Sequence, residues 1–359
     1  MTGHQTYEHC HGVRRFENGM NASILISSAS PKLVFVTGAT GFIGSQVVAA
    51  ALREGYDVRV SVRKLEQVER LKEIFRNDVS RLQFVVVPDI SQPKAFDAAL
   101  DGVEAVFHLA SPMPGKGTDL QKDYVEPARQ GTLSILESAK NVASINKVVV
   151  MSSILGIGPV DLFANTDAFL TPEAANTGKR HEVDLAAAFP DGKGDSGAMY
   201  VASKILAHQA SLDWAREHKP AFALATVHPT FVLGPSLVRR TAADMDGINA
   251  WFWKPLQSVA PIFPAVLVDV RDVADLCIKA AIEDVPTGTE LVASGAPTTW
   301  RDIAAWVRRE YPQLDTKLSE DGPVPFRVDN EALGMQWRPL RETLRGVIDQ
   351  QLALEEGGV

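Results

Sequence analysis

Short apolar segments alternate with amphipathic segments along most of the chain. The first, LVFVT at residues 33–37, is rich in β-branched residues and predicts a buried parallel strand. The segment GFIGSQVVAAALREG, residues 41–55, then has helical periodicity and ends with the stop signal Gly55. Further strands are predicted at DVRVSVR, LQFVVVPD, AVFHLAS and KVVVMSS, with helical patterns between them. This alternation, sustained over about five units, predicts an α/β protein with a doubly wound parallel sheet of the Rossmann type.

Two regions interrupt the alternation. Residues 154–198 are rich in Gly and Pro, and residues 236–265 hold the aromatic triplet WFW at 251–253 among prolines. Loops of this length inside a compact domain are usually functional. We therefore expect a smaller C-terminal lobe beside the sheet, and an apolar pocket near Met113 and these two regions. The aromatic triplet is equally compatible with core packing or a dimer contact.

Composition narrows the possible functions. The chain has 359 residues and a net charge of −8, so it lacks a basic surface for nucleic acid and is poorly suited to anionic membranes. No apolar run approaches the roughly 18 residues of a membrane span. The two cysteines, Cys10 and Cys277, lie far apart, which favours a reduced cytoplasmic protein. We expect residues 1–31 to be a flexible extension, neither a secretory signal nor a metal site, although histidines flank Cys10.

A glycine-rich turn joins the first predicted strand to the first predicted helix. In TGATGFIG the glycines are spaced G-x-x-G-x-x-G, which permits a tight turn and brings backbone N–H groups close to a pyrophosphate. The helix N-terminus adds a favourable dipole. A plain strand–turn–helix connection is the alternative. The pattern predicts dinucleotide contacts from Thr37, Gly38, Gly41, Phe42, Ile43 and Gly44.

The ends of the next strands predict which dinucleotide binds. An acid commonly holds the ribose 2′-OH of NAD at the second strand end, but here Arg63 and Lys64 stand there. A guanidinium suits a 2′-phosphate, so we predict NADPH/NADP⁺, with solvated surface charges as the alternative. Asp89 and Ile90 follow the third strand and could contact the adenine. The fourth strand ends at His108, which we expect to be structural, and the cofactor site is predicted to continue through Leu109, Ala110 and Ser111.

A predicted helix carries Tyr200 and Lys204 on one face, because residues four positions apart are neighbours there. An ordinary partly exposed helix is the alternative. The fifth strand ends with Ser152 and Ser153, whose side chains point in opposite directions. Carbonyl reduction needs a hydride, donors for the developing alkoxide and a proton. A nearby ammonium favours the phenolate form of a tyrosine, so Lys204 could tune Tyr200 while one of the serines bonds the carbonyl oxygen.

Several motifs together carry a family resemblance. TGATGFIG, VVVMSS, YVASK and HPTFVLGP occur in the order found in the extended short-chain dehydrogenase/reductase family. GTLSILESAK, DVRDVA and WRDIAAWVRREYP resemble its dihydroflavonol-reductase-like branch, especially the fungal NADPH-dependent aldehyde and ketone reductases. The resemblance extends from residue 32 to about residue 350. It implies reduction of an aldehyde or ketone to an alcohol.

The resemblance also implies roles for individual residues. Ser153, Tyr200 and Lys204 match the catalytic serine, tyrosine and lysine, with Tyr200 as proton donor. Tyr200 and Lys204 would also contact the cofactor, and Arg63 matches the 2′-phosphate arginine. The nicotinamide would be lined by Pro229, Thr230 and Val232.

Two departures from the family pattern narrow the substrate, and a third concerns a water relay. Gly158 replaces an asparagine of many plant flavonoid reductases, which argues against a flavanonol. Ala198 and Met199 replace the Asn-Trp pair of cinnamoyl-CoA reductases, which argues against a CoA thioester. Gln130 stands where relatives often have asparagine.

The predicted organisation follows from these assignments. The NADP-binding domain would span residues 32–235 and 266–284, and the substrate-binding lobe residues 236–265 and 285–352. We expect a small-molecule carbonyl substrate, no nucleic-acid or membrane partner, and a monomer or homodimer. The alternatives are an NAD-dependent sugar-nucleotide epimerase or dehydratase on the same scaffold, and a non-catalytic NADPH-sensing protein.

Overall fold

A parallel sheet forms the centre of the protein. The computed structural model describes residues 32–111, 117–158, 169–170, 196–245, 247–257, 260–320, 322–323, 326–328 and 332–357. The strands of the central sheet are β1 (Leu33–Thr37), β2 (Asp57–Val62), β3 (Leu82–Val86), β4 (Ala105–His108), β5 (Lys147–Met151), β7 (Ala223–Pro229) and β10 (Thr289–Ala293). Their spatial order is β10-β7-β5-β4-β1-β2-β3, and every pairing between them is parallel. The predicted doubly wound Rossmann-type sheet is therefore confirmed.

Two small sheets accompany the central one. β8 (Phe231–Leu233) pairs with β9 (Leu267–Asp269), and β6 (Phe169–Leu170) pairs with β11 (Arg327–Val328). The helices among the described residues are α1 (Phe42–Arg53), α2 (Glu66–Ile74), α3 (Glu126–Ala139, entered through a π-helical turn at Gln121–Val125), α4 (Ser196–His218), α5 (Gly247–Gln257), α6 (Val270–Ile282), α7 (Trp300–Glu310) and α8 (Leu340–Glu356). None of these helices has the length and apolar character that a membrane span requires.

The two faces of the sheet explain the apolar runs in the sequence. In β1, Val34 and Val36 pack in one core cluster, with residues of α1 and α6. Phe35 packs in a second cluster that includes Ile135 of α3 and Trp214 of α4. Because consecutive strand residues point to opposite faces and both faces are covered, four of the five residues of β1 are buried.

The topology places the site before any side chain is considered. β1 pairs with β2 on one side and with β4 on the other, so the strand order reverses direction at β1. In such sheets ligands bind outside the carboxyl ends of the strands at this switch point. The glycine-rich turn follows β1 and the segment from Leu109 to Ser111 follows β4, so both predicted cofactor segments lie at this crevice.

A third core cluster contains residues of α5, α7 and α8, including Phe252, Trp300 and Leu344. The division into an NADP-binding domain and a smaller lobe stays a prediction. β10, at residues 289–293, lies within the range predicted for the lobe, and it forms an outer strand of the central sheet. The predicted flexible extension (residues 1–31), Met113 and most of the 154–198 region lie outside the described residues.

Candidate active site

The glycine-rich turn is packed so closely that two of its glycines are required. Gly38 has a φ of +75°, and a Cβ built there would lie 2.8 Å from the backbone nitrogen of Ala110. A Cβ on Gly44 would lie 2.0 Å from the carbonyl oxygen of Gly38. Both distances are far inside van der Waals contact. The first glycine therefore lets β1 approach the end of β4, and the last lets α1 pack on the turn.

Gly41 differs from its neighbours because its outer side is open. The residue is extended, with φ −96° and ψ 174°, and a Cβ there would meet only the Gly38 oxygen, at 3.3 Å. It directly precedes α1, whose N-terminus has no side-chain cap. Phe42 and Ile43 are half-buried in the first turn of the helix. The turn thus presents uncapped helix N–H groups towards open space, which is the arrangement that binds phosphate oxygens.

Thr37 supports this turn from inside. Its Oγ1 accepts hydrogen bonds from the backbone N–H groups of Leu109 (3.1 Å) and Ala110 (3.0 Å) and lies 3.1 Å from Nδ1 of His108. Two N–H donors fill its two lone pairs, so the hydroxyl hydrogen goes to His108 Nδ1. His108 therefore carries its own proton on Nε2. Burial, reinforced by the charge of Lys204, lowers the pKa of His108 to about 4 and keeps the ring neutral.

The end of β2 presents two cationic side chains. Arg63 and Lys64 are exposed, and their backbone N–H groups donate to Oε1 of Gln67, at 2.8 and 3.2 Å. Gln67 lies in the first turn of α2, so the backbone at this strand end is anchored while both cationic side chains face outward. No acid occupies this strand end.

The end of β3 presents a fixed carboxylate. Asp89 accepts from the backbone N–H of Ser91 (2.9 Å), the Ser91 hydroxyl (2.6 Å) and the side-chain amide of Gln92 (2.8 Å). The Ser91 hydroxyl is the main cause that lowers the pKa of Asp89 below its usual value. Ile90 packs towards α3, where a Cβ on Gly131 would come within 3.2 Å of its Cδ1.

The predicted tyrosine and lysine lie together on α4. The Nζ atom of Lys204 is 5.3 Å from the centre of the Tyr200 ring and donates to Oγ of Ser111, at 2.9 Å. Lys204 is only 8% exposed, whereas Tyr200 is half-buried. The Lys204 ammonium is therefore held between α4 and the segment after β4, with the Ser111 hydroxyl as hydrogen-bond acceptor and the Tyr200 ring beside it.

The two serines after β5 face different surroundings. Ser153 is extended and caps the short turn Ile154–Gly156, with its Oγ accepting from the backbone N–H of Leu155 at 3.2 Å. The hydroxyl hydrogen of Ser153 is not used in that bond. Ser152 Oγ instead lies 2.8 Å from the position that a Cβ on Gly156 would occupy, and Ser152 lines a pocket that Ser111 and Lys204 also line. Both serines are half-buried, so their exposure does not distinguish them.

The segment after β7 is fixed against β10. Pro229 ends β7, and both the backbone N–H and the hydroxyl of Thr230 donate to the carbonyl oxygen of Ala293, at 2.9 and 3.3 Å. Val232 is buried in β8. These bonds hold residues 229–232 beside the carboxyl end of β5, because β5 pairs with β7.

The structure also separates the aromatic residues of α5. Phe252 is fully buried and stacks on Trp300, and Trp253 is 7% exposed in the same cluster. Trp251 is 43% exposed. Phe252 and Trp253 are thus core residues, and of this triplet only Trp251 projects outward.

Sequence reasoning missed a polar layer beneath Lys204. A pocket there has a polar lining that includes His108, Ser111, Ser152, Lys204, His208 and Ser211. His208 is hydrogen-bonded to Glu290 of β10 and packs against His228 of β7. One signal was visible: His208 follows Lys204 by four residues and continues the stripe that Tyr200 begins. Nothing in the sequence linked it to Glu290 or His228.

Comparison with known proteins extends this geometry. The sequence profile of the NAD dependent epimerase/dehydratase family matches residues 34–290 of the chain. A ketoreductase of Aspergillus fumigatus is 34% identical over 331 residues, which cover 89% of this chain and 97% of the relative. An NADPH-dependent methylglyoxal reductase of Saccharomyces cerevisiae is 29% identical over 347 residues, covering 90% of this chain and 98% of the relative.

A solved structure is similar over the same extent. The crystal structure of yeast methylglyoxal/isovaleraldehyde reductase complexed with NADPH superimposes with a TM-score of 0.76 at 27% sequence identity. The match covers 90% of this chain and 99% of that one. The similarity therefore includes the sheet, the crevice at its carboxyl edge and most of the C-terminal part.

Proposed function

The chain belongs to the NAD dependent epimerase/dehydratase family of extended short-chain dehydrogenases/reductases, and we propose that it is a reductase that uses NADPH to convert an aldehyde or ketone into an alcohol. The family membership expected from the motifs is confirmed. The names of the relatives, a ketoreductase and an NADPH-dependent methylglyoxal reductase, support this reaction class. The observation that carries the proposal is the Lys204 ammonium, held beside the Tyr200 ring at the sheet edge where Ser153 follows β5.

The residues present fit NADPH. Gly38 and Gly44 permit the close packing that shapes the turn, and the open side of Gly41 faces the uncapped start of α1, so the pyrophosphate would lie there. Arg63 and Lys64 would hold the 2′-phosphate, with Asp89 and Ile90 beside the adenine. The ribose hydroxyls would be near Lys204, and residues 109–111 and 229–232 would line the nicotinamide. When bound, NADPH supplies the hydride.

The protein supplies the hydrogen bonds and the proton. Ser153 has a hydroxyl hydrogen free of the turn that it caps, so it can donate to the carbonyl oxygen as negative charge develops there. Tyr200 would transfer its phenolic proton to that oxygen, which becomes the alcohol. The Lys204 ammonium stabilises the phenolate that remains. Ser153 is the serine that matches the catalytic position of the family, and Ser152, which lines the pocket beside Lys204, is the alternative.

The alternatives are less well supported by the site. An enzyme that uses NAD would favour an acid at the end of β2, where this chain has Arg63 and Lys64. A non-catalytic NADPH sensor would have no need of Ser153, Tyr200 and Lys204 together at the sheet edge. We also infer a cytoplasmic location, because Cys277 is a free, buried thiol. For the oligomeric state, a monomer or homodimer stays our prediction.

A spectroscopic assay tests the proposed function. The purified full-length chain is offered NADPH or NADH with a panel of aryl, aliphatic and α-keto-ester carbonyls, and loss of reduced-nicotinamide absorbance is followed. We expect carbonyl-dependent consumption of NADPH, with NADH much poorer. Tyr200→Phe should abolish turnover while NADPH affinity is nearly unchanged, and Tyr56→Phe, whose ring packs on the α1 face of the core, serves as matched control.

Two results would contradict the proposal. Tight NADPH binding without turnover of any carbonyl would favour the sensor or the epimerase, which a nucleotide-sugar titration by calorimetry then distinguishes. Full activity of Tyr200→Phe would reject Tyr200 as the proton donor.

A further inference from the structure

Three buried ionisable side chains lie directly behind the candidate active site. His208 of α4, His228 of β7 and Glu290 of β10 are each at most 6% exposed. Nε2 of His208 bonds Oε1 of Glu290, and the His208 ring packs edge-on against the His228 ring with 4.6 Å between centroids. None of the three is needed for the proposed chemistry. Burying ionisable side chains costs free energy, so we expect this cluster to have a function of its own.

His228 connects the cluster to Ser153. Its Nδ1 lies 3.0 Å from the carbonyl oxygen of Ser153, and its Nε2 lies 2.8 Å from Oγ1 of Thr226. A carbonyl oxygen can only accept, so Nδ1 must carry hydrogen. Burial, together with neighbouring His208, holds the pKa of His228 well below its usual value, so the ring is neutral and Nε2 accepts from the Thr226 hydroxyl. The tautomer with its hydrogen on Nδ1 therefore satisfies both the Ser153 carbonyl and the Thr226 hydroxyl.

The bond from His228 restrains the backbone of Ser153. That carbonyl oxygen also accepts from the N–H of Gly156, at 2.8 Å, while the Ser153 side chain accepts from Leu155. Carbonyl and hydroxyl of one residue are thus fixed by separate donors at the point where β5 ends. Because the direction of a serine hydroxyl follows from its backbone, the position of the Ser153 donor depends on these bonds.

A metal site is a weaker explanation of the same cluster. Nitrogen and oxygen atoms of His208, His228 and Glu290 all lie within 4.8 Å of one another, which is compatible with an ion. Both nitrogens of His228 already have partners, however, and His208 is bonded directly to Glu290. A metal would have to break these bonds, so the hydrogen-bonded network accounts for more of the geometry.

We propose that His228 is a positioning residue, which as the neutral Nδ1–H tautomer fixes Ser153 so that its hydroxyl meets the substrate carbonyl oxygen. The inference rests on the proposed reductase function. The His208–Glu290 pair supports it by holding the His208 ring against the His228 ring. Displacement of a catalytic group by about 1 Å can cost on the order of a hundredfold in rate.

Substitutions that differ in the position of one donor test this role. In His228→Asn the side-chain amide can take the place of Nδ1–H, whereas in His228→Gln it reaches towards the position of Nε2, and His228→Leu has no donor. We expect kcat to fall by about tenfold or more in the Gln and Leu variants and to be largely restored in Asn. NADPH affinity should stay within about twofold of wild type in all three, since the side chain of His228 makes its hydrogen bonds with Thr226 and Ser153 and not with a predicted cofactor-binding residue. His218→Asn, at the end of α4, is the matched control.

A second measurement needs neither cofactor nor turnover. Nitrogen-15 NMR of the histidine rings, with His228 identified by signals lost in His228→Asn, should show a neutral ring protonated on Nδ1 near neutral pH. A proton on Nε2, a charged ring or stoichiometric bound metal that is lost on substitution would overturn the inference. Equal kcat for the Asn and Leu variants of an active enzyme would overturn it too. Failure of the wild type to reduce any carbonyl would instead count against the proposed function.

Discussion

Replacing Gly44 by alanine should damage the fold, because no space exists for one methyl group. The new Cβ would lie 2.0 Å from the Gly38 oxygen and 2.6 Å from the Gly38 carbonyl carbon. Relief requires a shift of about 1.5 Å to reach an ordinary contact of about 3.5 Å. Gly38 cannot yield readily, because it contacts Ala110 and accepts from the N–H of Gly41. We therefore expect Gly44→Ala to lower the free energy of unfolding by about 3 kcal/mol, the upper end for overpacking.

Gly41→Ala should show the opposite pattern. The backbone there is extended and suits alanine, and the new Cβ meets only the Gly38 oxygen at 3.3 Å. Loss of a glycine before a helix should cost no more than about 1 kcal/mol of stability. The methyl group, however, would occupy the open side of the turn, where the pyrophosphate approaches. We expect the Kd for NADPH to rise at least about tenfold, which is 1.4 kcal/mol of binding free energy.

Two measurements on the same three proteins separate these effects. Urea unfolding without cofactor gives the midpoint and free energy of unfolding, and a fluorescence titration gives the Kd for NADPH. A Gly44→Ala protein as stable as wild type would refute the close contact between α1 and the turn. Unchanged NADPH affinity in Gly41→Ala would refute the placement of the pyrophosphate.

Three further predictions concern single ionisable side chains. Arg63→Ser should lower the affinity for NADPH about tenfold or more and leave the affinity for NADH unchanged, since a charge-assisted hydrogen bond contributes about 1.5–3 kcal/mol. Parallel titrations with the two cofactors test this, and an equal loss of affinity for both would contradict the 2′-phosphate assignment. The pKa of His108 is about 4 against its usual 6.5, so the unfolded state binds the extra proton and stability falls as pH drops through this window. Between the two pKa values the wild type should lose about 3 kcal/mol of unfolding free energy. Urea unfolding at pH 7 and at pH 4 measures this loss. In His108→Asn the loss of unfolding free energy should be smaller by that amount. Burial, together with nearby Asp275, raises the pKa of Cys277 to about 12. In Cys10→Ser, where Cys277 is the remaining cysteine, a thiol reagent at pH 8 should therefore label the protein only after unfolding. Rapid labelling of the folded protein would contradict this environment.

Much of the fold could be predicted because its causes are local. Strands covered on both faces read as unbroken apolar runs, and the amphipathic segments between them read as helices. The glycine turn is local as well, since Gly38, Gly41 and Gly44 lie within one strand–turn–helix unit. Tyr200 and Lys204 were predictable as a pair because helix geometry alone brings residues four apart together.

The supporting network could not be predicted in the same way. His208, His228 and Glu290 come from one helix and two strands, and they meet only because α4 covers the face of the sheet that includes β7 and β10. In the sequence, Glu290 reads as an ordinary charged residue near a strand start. His228 stands beside a predicted nicotinamide-lining segment, yet its side chain turns to the carbonyl of Ser153, a residue 75 positions earlier. Only the strand order makes that contact visible.

Thr37 illustrates how a polar residue at this sheet edge supports its neighbours. Sequence reasoning placed it on the cofactor, whereas in the structure its hydroxyl is fully used by Leu109, Ala110 and His108. A polar group at the end of a strand that is buried on both faces must bond either a ligand or another protein group. Two supporting residues of this kind are visible here: Thr37 holds the segment behind the glycine turn, and His228 holds Ser153. A substitution in a supporting residue should consequently act through the residue that it holds, changing kcat or Kd without any contact of its own with substrate or cofactor.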